Sequence, residues 1–184
     1  TDPRRRMWHW LQQVKAMGFS GMNNFPTHTI IDGSFRQQLE ETGMGTDKEI
    51  ETVALARRMD LFTIVYVASP AEAKAMAEAG ADVIIAHVGC TVGGSIGVTN
   101  AAMSLEDAAV ATQAIIDAGK SVRDDVIYLS HGGPIATPAD AAFINERTDA
   151  VGFVGASSLE RMAVEESLTQ LTREFKSIPL HRTK

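Results

Sequence analysis

Five short apolar runs, each leading toward a helix-start signal, constrain this chain more than any other feature: GFSGMNNF (18–25), LFTIVYV (61–67), ADVIIAH (81–87), DVIYLSH (125–131) and AVGFVGA (150–156). Their apolar character is near-continuous rather than alternating, the pattern of parallel strands covered on both faces. Five buried strands are therefore predicted.

The helices between them announce their starts. Ser69-Pro70-Ala71-Glu72, Thr46-Asp47-Lys48-Glu49 and Ser157-Ser158-Leu159-Glu160 have capping-box spacing, with a hydroxyl for one free amide and a glutamate reaching back. Thr137-Pro138-Ala139-Asp140 and Ser104-Leu105-Glu106-Asp107 are close variants. Asp2-Pro3 is expected to open a first helix over 2–17, with Met7, Trp10, Leu11, Val14 and Met17 as its apolar stripe. Gly18, Gly80 and Gly119 are expected to close helices. Repeated strand and helix mean right-handed βαβ units, which leaves a doubly wound five-stranded sheet or part of a (β/α)8 barrel. A whole barrel takes about 250 residues and rarely fewer than about 200. At 184 residues, five strands fall three units short, and the first helix ought to follow a strand that the sequence lacks.

With 45% hydrophobic and 22% charged residues, the chain can bury one core, and 1–184 reads as a single domain. A net charge of −6 gives no long-range attraction to a phosphate backbone despite the basic cluster at 4–6, which argues against nucleic acid. The single cysteine, Cys90, forbids an internal disulfide and a multi-cysteine metal cluster and fits a reducing, cytoplasmic setting. No run approaches the roughly 18 apolar residues of a membrane span, and no signal-peptide pattern is present, so no membrane partner is expected.

In both architectures ligands bind beyond the carboxyl ends of the strands, where the connections over 26–45 and 88–103 are long. Asn24, Tyr66, His87, His131 and Gly155 stand at or just past those ends, and parallel strands would gather them around one mouth. His87 and His131 each finish an apolar run, where an imidazole has either a buried partner or a ligand. Gly132 and Gly133 offer consecutive amides for an anion nest. Gly155, Ala156, Ser157 and Ser158 form a small-residue turn at a helix start, which favours phosphate or carboxylate. Plain capping and close packing are the alternative for both turns. GCTVGGSIG (89–97) reads as an ordered ligand-facing loop, with Thr91 and Ser95 as hydroxyl donors and Gly93 and Gly94 permitting close backbone approach; a mobile lid is the alternative. Cys90 has no paired base and reads as a small packed side chain. Asp32, Arg36 and Glu40 either approach the mouth, seal a subunit contact or belong to a solvated helix face.

Together GMNNFPT, IDGSFRQQLEETGMG, AEAGADVIIAHVGCTVGGSIG, SHGGPIATPADAAFI and GFVGASSLERM resemble the phosphoenolpyruvate hydrolase-like family, or TIM-barrel signal-transduction proteins, over about 2–178. The resemblance implies a (β/α)8 TIM barrel of the phosphoenolpyruvate/pyruvate superfamily, of which this chain would be the C-terminal five βα units, strands four to eight. It also implies Mg2+, held in that superfamily by acidic residues on early and middle strands; no strand end here supplies a clear pair, and the metal site stays unknown. A related domain forms the carboxyl-terminal part of larger plant virus-resistance proteins, implying a binding role in some relatives.

The expected function is an enzyme acting on a small phosphorylated or carboxylated metabolite, of the phosphoenolpyruvate or phosphonopyruvate hydrolase type. The glycine-rich turns would hold the anion, His131 or His87 would move a proton, and Asn24 and Thr91 would orient a substrate bound beside Tyr66. The alternative is a non-catalytic metabolite-binding or assembly module on the same scaffold. Uncovered parallel edges invite aggregation, which predicts either a further N-terminal portion or a partner, most simply a homo-oligomer.

Overall fold

The computed structural model describes residues 2, 4–100 and 102–179. Four strands form one parallel sheet: β1 (Gly21–Asn23), β2 (Phe62–Val67), β3 (Val83–His87) and β4 (Ile127–His131), in the order β1-β2-β3-β4. A doubly wound sheet reverses direction at a switch point, whereas a barrel wall adds each strand beside the last. Sequential order therefore selects the partial (β/α)8 barrel. The fifth predicted strand is reduced to one bridge, Ser130 with Phe153. Its backbone still extends the ladder, with Ser130 N–H donating to the Gly152 carbonyl (3.0 Å) and Val154 N–H to that of Ser130 (2.9 Å). Among the described residues no strand lies beyond it to fix its outer side.

The helices are α1 (Met7–Ala16), α2 (Gly33–Glu41), α3 (Thr46–Arg58), α4 (Pro70–Ala79), α5 (Leu105–Lys120), α6 (Pro138–Arg147) and α7 (Ala163–Lys176). The first begins five residues later than expected, because the Asp2 carboxylate accepts bonds from Arg4 and Arg5 and holds a turn there; Pro3 lies outside the described residues. Gly119 falls inside α5 rather than closing a helix, and a side chain there would strike the Tyr128 hydroxyl. Gly80 does close α4, at φ +98°.

Among the described residues the reciprocal capping box forms at Thr137 and Asp140. Ser69 caps α4 and Ser104 caps α5. Thr46 sits inside α3, whose cap is Gly45, and Ser157 makes no side-chain cap. The carboxylates of Glu49 and Glu72 are drawn instead to the amides of His28 and Ala68.

Helices α3, α4 and α5 lie side by side over one face of the sheet, where Val65, Val67, Ile84, Ala86 and Tyr128 pack against Met76, Ala77, Ile115 and Ile116. The other face, the lumen side of a barrel wall, carries Ile64, Tyr66, Val83, Ile85, Leu129 and Val154. Successive strand residues alternate faces. The register pairs Tyr66 with Ile85 and His87 with His131, so these three side chains crown the lumen face. No described helix is long and apolar enough to cross a membrane.

Candidate active site

At the carboxyl ends of β2, β3 and β4 the rings of Tyr66, His87 and His131 meet. Centroids lie 5.9 Å apart for Tyr66 and His87, 5.0 Å for Tyr66 and His131, and 5.1 Å for the two imidazoles; Phe25 closes over Tyr66 at 5.1 Å. The Gly89 amide donates to His87 Nδ1 (3.2 Å), and His131 Nδ1 bonds the Val154 carbonyl (2.7 Å). Neither Nε2 has a protein partner among the described residues. The unpartnered buried side-chain atoms there are His28 Nε2, Thr112 Oγ1 and the Tyr128 hydroxyl, so the Nε2 atoms of His87 and His131 are open to solvent. Burial lowers the pKa of both imidazoles, with His131 adding to the effect on His87. Both are neutral at neutral pH. Burial, and then the charge of Glu160, raises that of Tyr66.

The ladder continues past the strand ends. Val88 N–H donates to His131 O (3.0 Å), Gly133 N–H to Gly89 O (2.7 Å) and Val92 N–H to Gly133 O (3.0 Å). Gly132 and Gly133 have φ of +78° and +55°, and a Cβ on either would run into the carbonyls of Gly89 or Val88. That explains the glycine pair, and it also halves the expected nest: the Gly133 amide is spent, whereas that of Gly132 has no backbone acceptor among the described residues. One residue past Val154, the turn Gly155, Ala156, Ser157, Ser158 opens a π-turn at Ser158–Met162, a geometry that concentrates at functional sites. The amides of Leu159 and Glu160 bond Ala156 O. Those of Ser157 and Ser158 precede the first helical acceptor and stay free.

The 89–97 loop is ordered but faces another way than expected. Ser95 donates to Glu165 through its amide (2.9 Å) and hydroxyl (2.8 Å), while Arg161 bonds Glu165 (3.1 Å) and the Gly93 carbonyl (3.3 Å). Ser95 and Gly94 thus lie against α7, not the mouth, because a carboxylate on that helix outcompetes water for the loop's donors. Thr91 is half-buried and its hydroxyl has no protein partner among the described residues. Cys90 is exposed rather than packed.

A second polar cluster, missed in the sequence, lies beside the mouth. Asn24 is buried and its amide is consumed: Nδ2 donates to Glu49 (2.7 Å) and to Tyr66 O (3.1 Å), and Oδ1 accepts from Tyr66 N–H (2.7 Å). It prolongs the β1–β2 ladder where β1 stops, and is not available to orient a substrate. Glu49 also accepts from Thr27 Oγ1 and His28 N–H, each at 2.7 Å. Glu72 accepts from Arg36 (2.6 Å), Ala68 N–H (2.8 Å) and Thr29 Oγ1. Burial alone would raise the pKa of Glu72, but the bonds from Thr29, Ala68 and Arg36 outweigh it and hold the carboxyl below its usual range. Arg36 also bonds Glu40 (3.0 Å), so both approach this end of the sheet; Asp32 precedes α2 without capping it. The signal for Glu49 and Glu72 was present but matched a helix-start motif. The hydroxyl-rich turn at 27–29 was the clue to their real partners.

This donor set does not fit the Mg2+ that the resemblance implies. Every carboxylate oxygen of Glu49 and Glu72 accepts a bond from the protein, and no group of three His, Cys, Asp or Glu among the described residues is arranged to hold an ion. A cavity of about 360 Å³ borders this cluster beside β1, lined by Met7, Trp10, Met22, Asn24, Phe25 and Glu49. The histidines border the lumen face instead.

A barrel-type parallel sheet with paired neutral imidazoles and free amides at its carboxyl end defines an α/β-barrel protein with a candidate anion site. The chain belongs to the phosphoenolpyruvate hydrolase-like family, whose profile matches residues 1–178. It is 51% identical over 181 residues to the ToMV susceptible protein tm-1(GCR26) and to the ToMV resistance protein Tm-1(GCR237), both of Solanum lycopersicum, covering 98% of this chain and 24% of each relative. The chain therefore spans about a quarter of the length of the curated relatives it matches. Among solved structures, a provisionally named phosphonomutase from Burkholderia cenocepacia J2315 superposes with a TM-score of 0.52 at 16% identity, over 79% of this chain and 63% of that one. That likeness shows the shared fold.

Proposed function

We propose that the mouth binds a small phosphorylated or carboxylated metabolite and that the protein is a hydrolase of the phosphoenolpyruvate or phosphonopyruvate type. The observation that carries this is the pair of neutral imidazoles, 5.1 Å apart, with unpartnered Nε2 atoms at the same end of the sheet as the turns that hold the unspent amides of Gly132, Ser157 and Ser158. Those amides and the helix start would hold the anion. The imidazoles would move a proton to or from the reacting group.

Phosphate soaked into crystals should appear between the Gly132 and Ser157 turns. On a panel of phosphoenolpyruvate and phosphonopyruvate, His87→Ala and His131→Ala should each lower turnover by about 10²–10⁴-fold; full retention in both removes the proposed roles. Similarity to proteins named for ToMV susceptibility and resistance favours a second reading, a binding module without turnover. Ligand-induced stabilisation of about 2.7 kcal/mol at a hundredfold excess over Kd, with no product formed, would select it.

A further inference from the structure

We infer that His87 and His131 are locked in opposite neutral tautomers, so that His131 is the proton acceptor of the mouth and His87 its hydrogen-bond donor. A backbone N–H can only donate, so the bond from Gly89 to His87 Nδ1 (3.2 Å) leaves that nitrogen bare and puts the hydrogen on Nε2. A carbonyl can only accept, so the bond between His131 Nδ1 and Val154 O (2.7 Å) puts the hydrogen on Nδ1 and leaves Nε2 with a lone pair. Both constraints come from main chain: Gly89 follows β3, and Val154 belongs to the ladder beyond β4. The two open Nε2 atoms therefore differ in kind, one a base and one an N–H, on rings whose centroids are 5.1 Å apart. Other charged groups near this end are saturated or lie outside the pair: Glu72 is bonded to Arg36 and Glu165 to Arg161, while Glu160 acts on Tyr66.

The inference rests on the mouth being the functional site and assigns each ring its part in the reaction proposed there, in which an oxygen gains negative charge as a proton moves nearby. With phosphoenolpyruvate, His131 Nε2 takes one proton from the attacking water, whose oxygen forms the new bond to phosphorus. The bond from phosphorus to the enol oxygen breaks with its electron pair on that oxygen, to which His87 Nε2–H donates. A neutral imidazole suits this role because it stabilises the oxygen without surrendering its proton. His131 then returns its proton to the terminal carbon as the enolate becomes pyruvate. Water is consumed, phosphate leaves, and both rings end as they began.

Long-range ¹H–¹⁵N correlation spectra of histidine-labelled protein at neutral pH should show His131 as the Nδ1–H form and His87 as the Nε2–H form. Finding both rings in one form overturns the inference whether or not any substrate is turned over. Glutamine can replace an N–H donor but not a base. In phosphate-release assays with phosphoenolpyruvate, His87→Gln should therefore stay within about tenfold of the parent, while His131→Gln should lose about 10²–10⁴-fold. Equal losses overturn the division of roles. The pH profile of kcat/KM should fall on the acid side in the parent, and His87→Gln should retain that fall. Absence of turnover with phosphoenolpyruvate and phosphonopyruvate would refute the functional reading, leaving the tautomers to be decided by the spectra.

Discussion

Two polar clusters sit side by side at the carboxyl ends of the strands, and they have opposite valence. Around Glu49 and Glu72 each carboxylate oxygen is met by Asn24, Thr27, Thr29, Arg36 or a backbone amide. Around His87 and His131 one nitrogen of each ring is fixed by main chain and the other faces solvent unpartnered. The carboxylates of the first cluster have nothing left to offer a ligand; the second cluster is held in place and still has a donor and an acceptor to give. Burial alone does not distinguish them, since His131 is about as buried as Glu72. Saturation does.

Substitutions should separate the two clusters sharply. Glu72→Ala strands Arg36, Thr29 and the Ala68 amide, and removing one partner of a largely buried pair should cost about 3 kcal/mol, read as a fall in the denaturation midpoint. His131→Asn, which keeps a donor for Val154, should cost only about 1 kcal/mol while lowering turnover by about 10²–10⁴-fold; a stability loss as large as that of Glu72→Ala would erase the distinction. Glu49→Gln retains size but presents donors to donors, and should cost about 1–2 kcal/mol with the imidazole ¹⁵N shifts unmoved.

Acid should dissect the clusters in two steps. The folded pKa values of His87 and His131 lie below the ordinary 6.5, so their contribution is complete above pH 6.5 and is lost as pH falls through the folded values. That of Glu72 lies below 4.5, so its contribution is complete above pH 4.5 and is lost only as pH falls through its lower folded value. A double His87→Asn, His131→Asn protein should show a flatter stability profile just below pH 6.5 and an unchanged one at lower pH, measured by denaturant midpoints. The smallest effect is expected for Ser95→Ala, which loosens an exposed clasp to Glu165: a midpoint close to the parent's, with faster amide exchange at 93–97.

Much of the fold was legible because it is written in local pattern. The runs at 62–67, 83–87 and 127–131 form the predicted strands, and Ser69, Ser104 and Thr137 start their helices as their spacing indicates. The run at 150–156 was over-read, since strand formation needs neighbours that a local pattern does not supply. At the site, the positions of Tyr66, His87 and His131 followed from strand ends alone. The partners of Asn24 and Ser95 were not legible, because a side chain's partner depends on which remote element arrives beside it: Glu49 reaches Asn24 and Glu165 reaches Ser95 across 25 and 70 residues.

By itself the sequence determined the parallel α/β class, the lumen face and the convergence of two imidazoles, since these depend on residue period and on the common direction of the strands. Only the tertiary structure decided which polar groups were spent and which remained open. That is a matter of hydrogen-bond stoichiometry between distant segments, and it also set the tautomer of each ring through one amide after β3 and one carbonyl beyond β4.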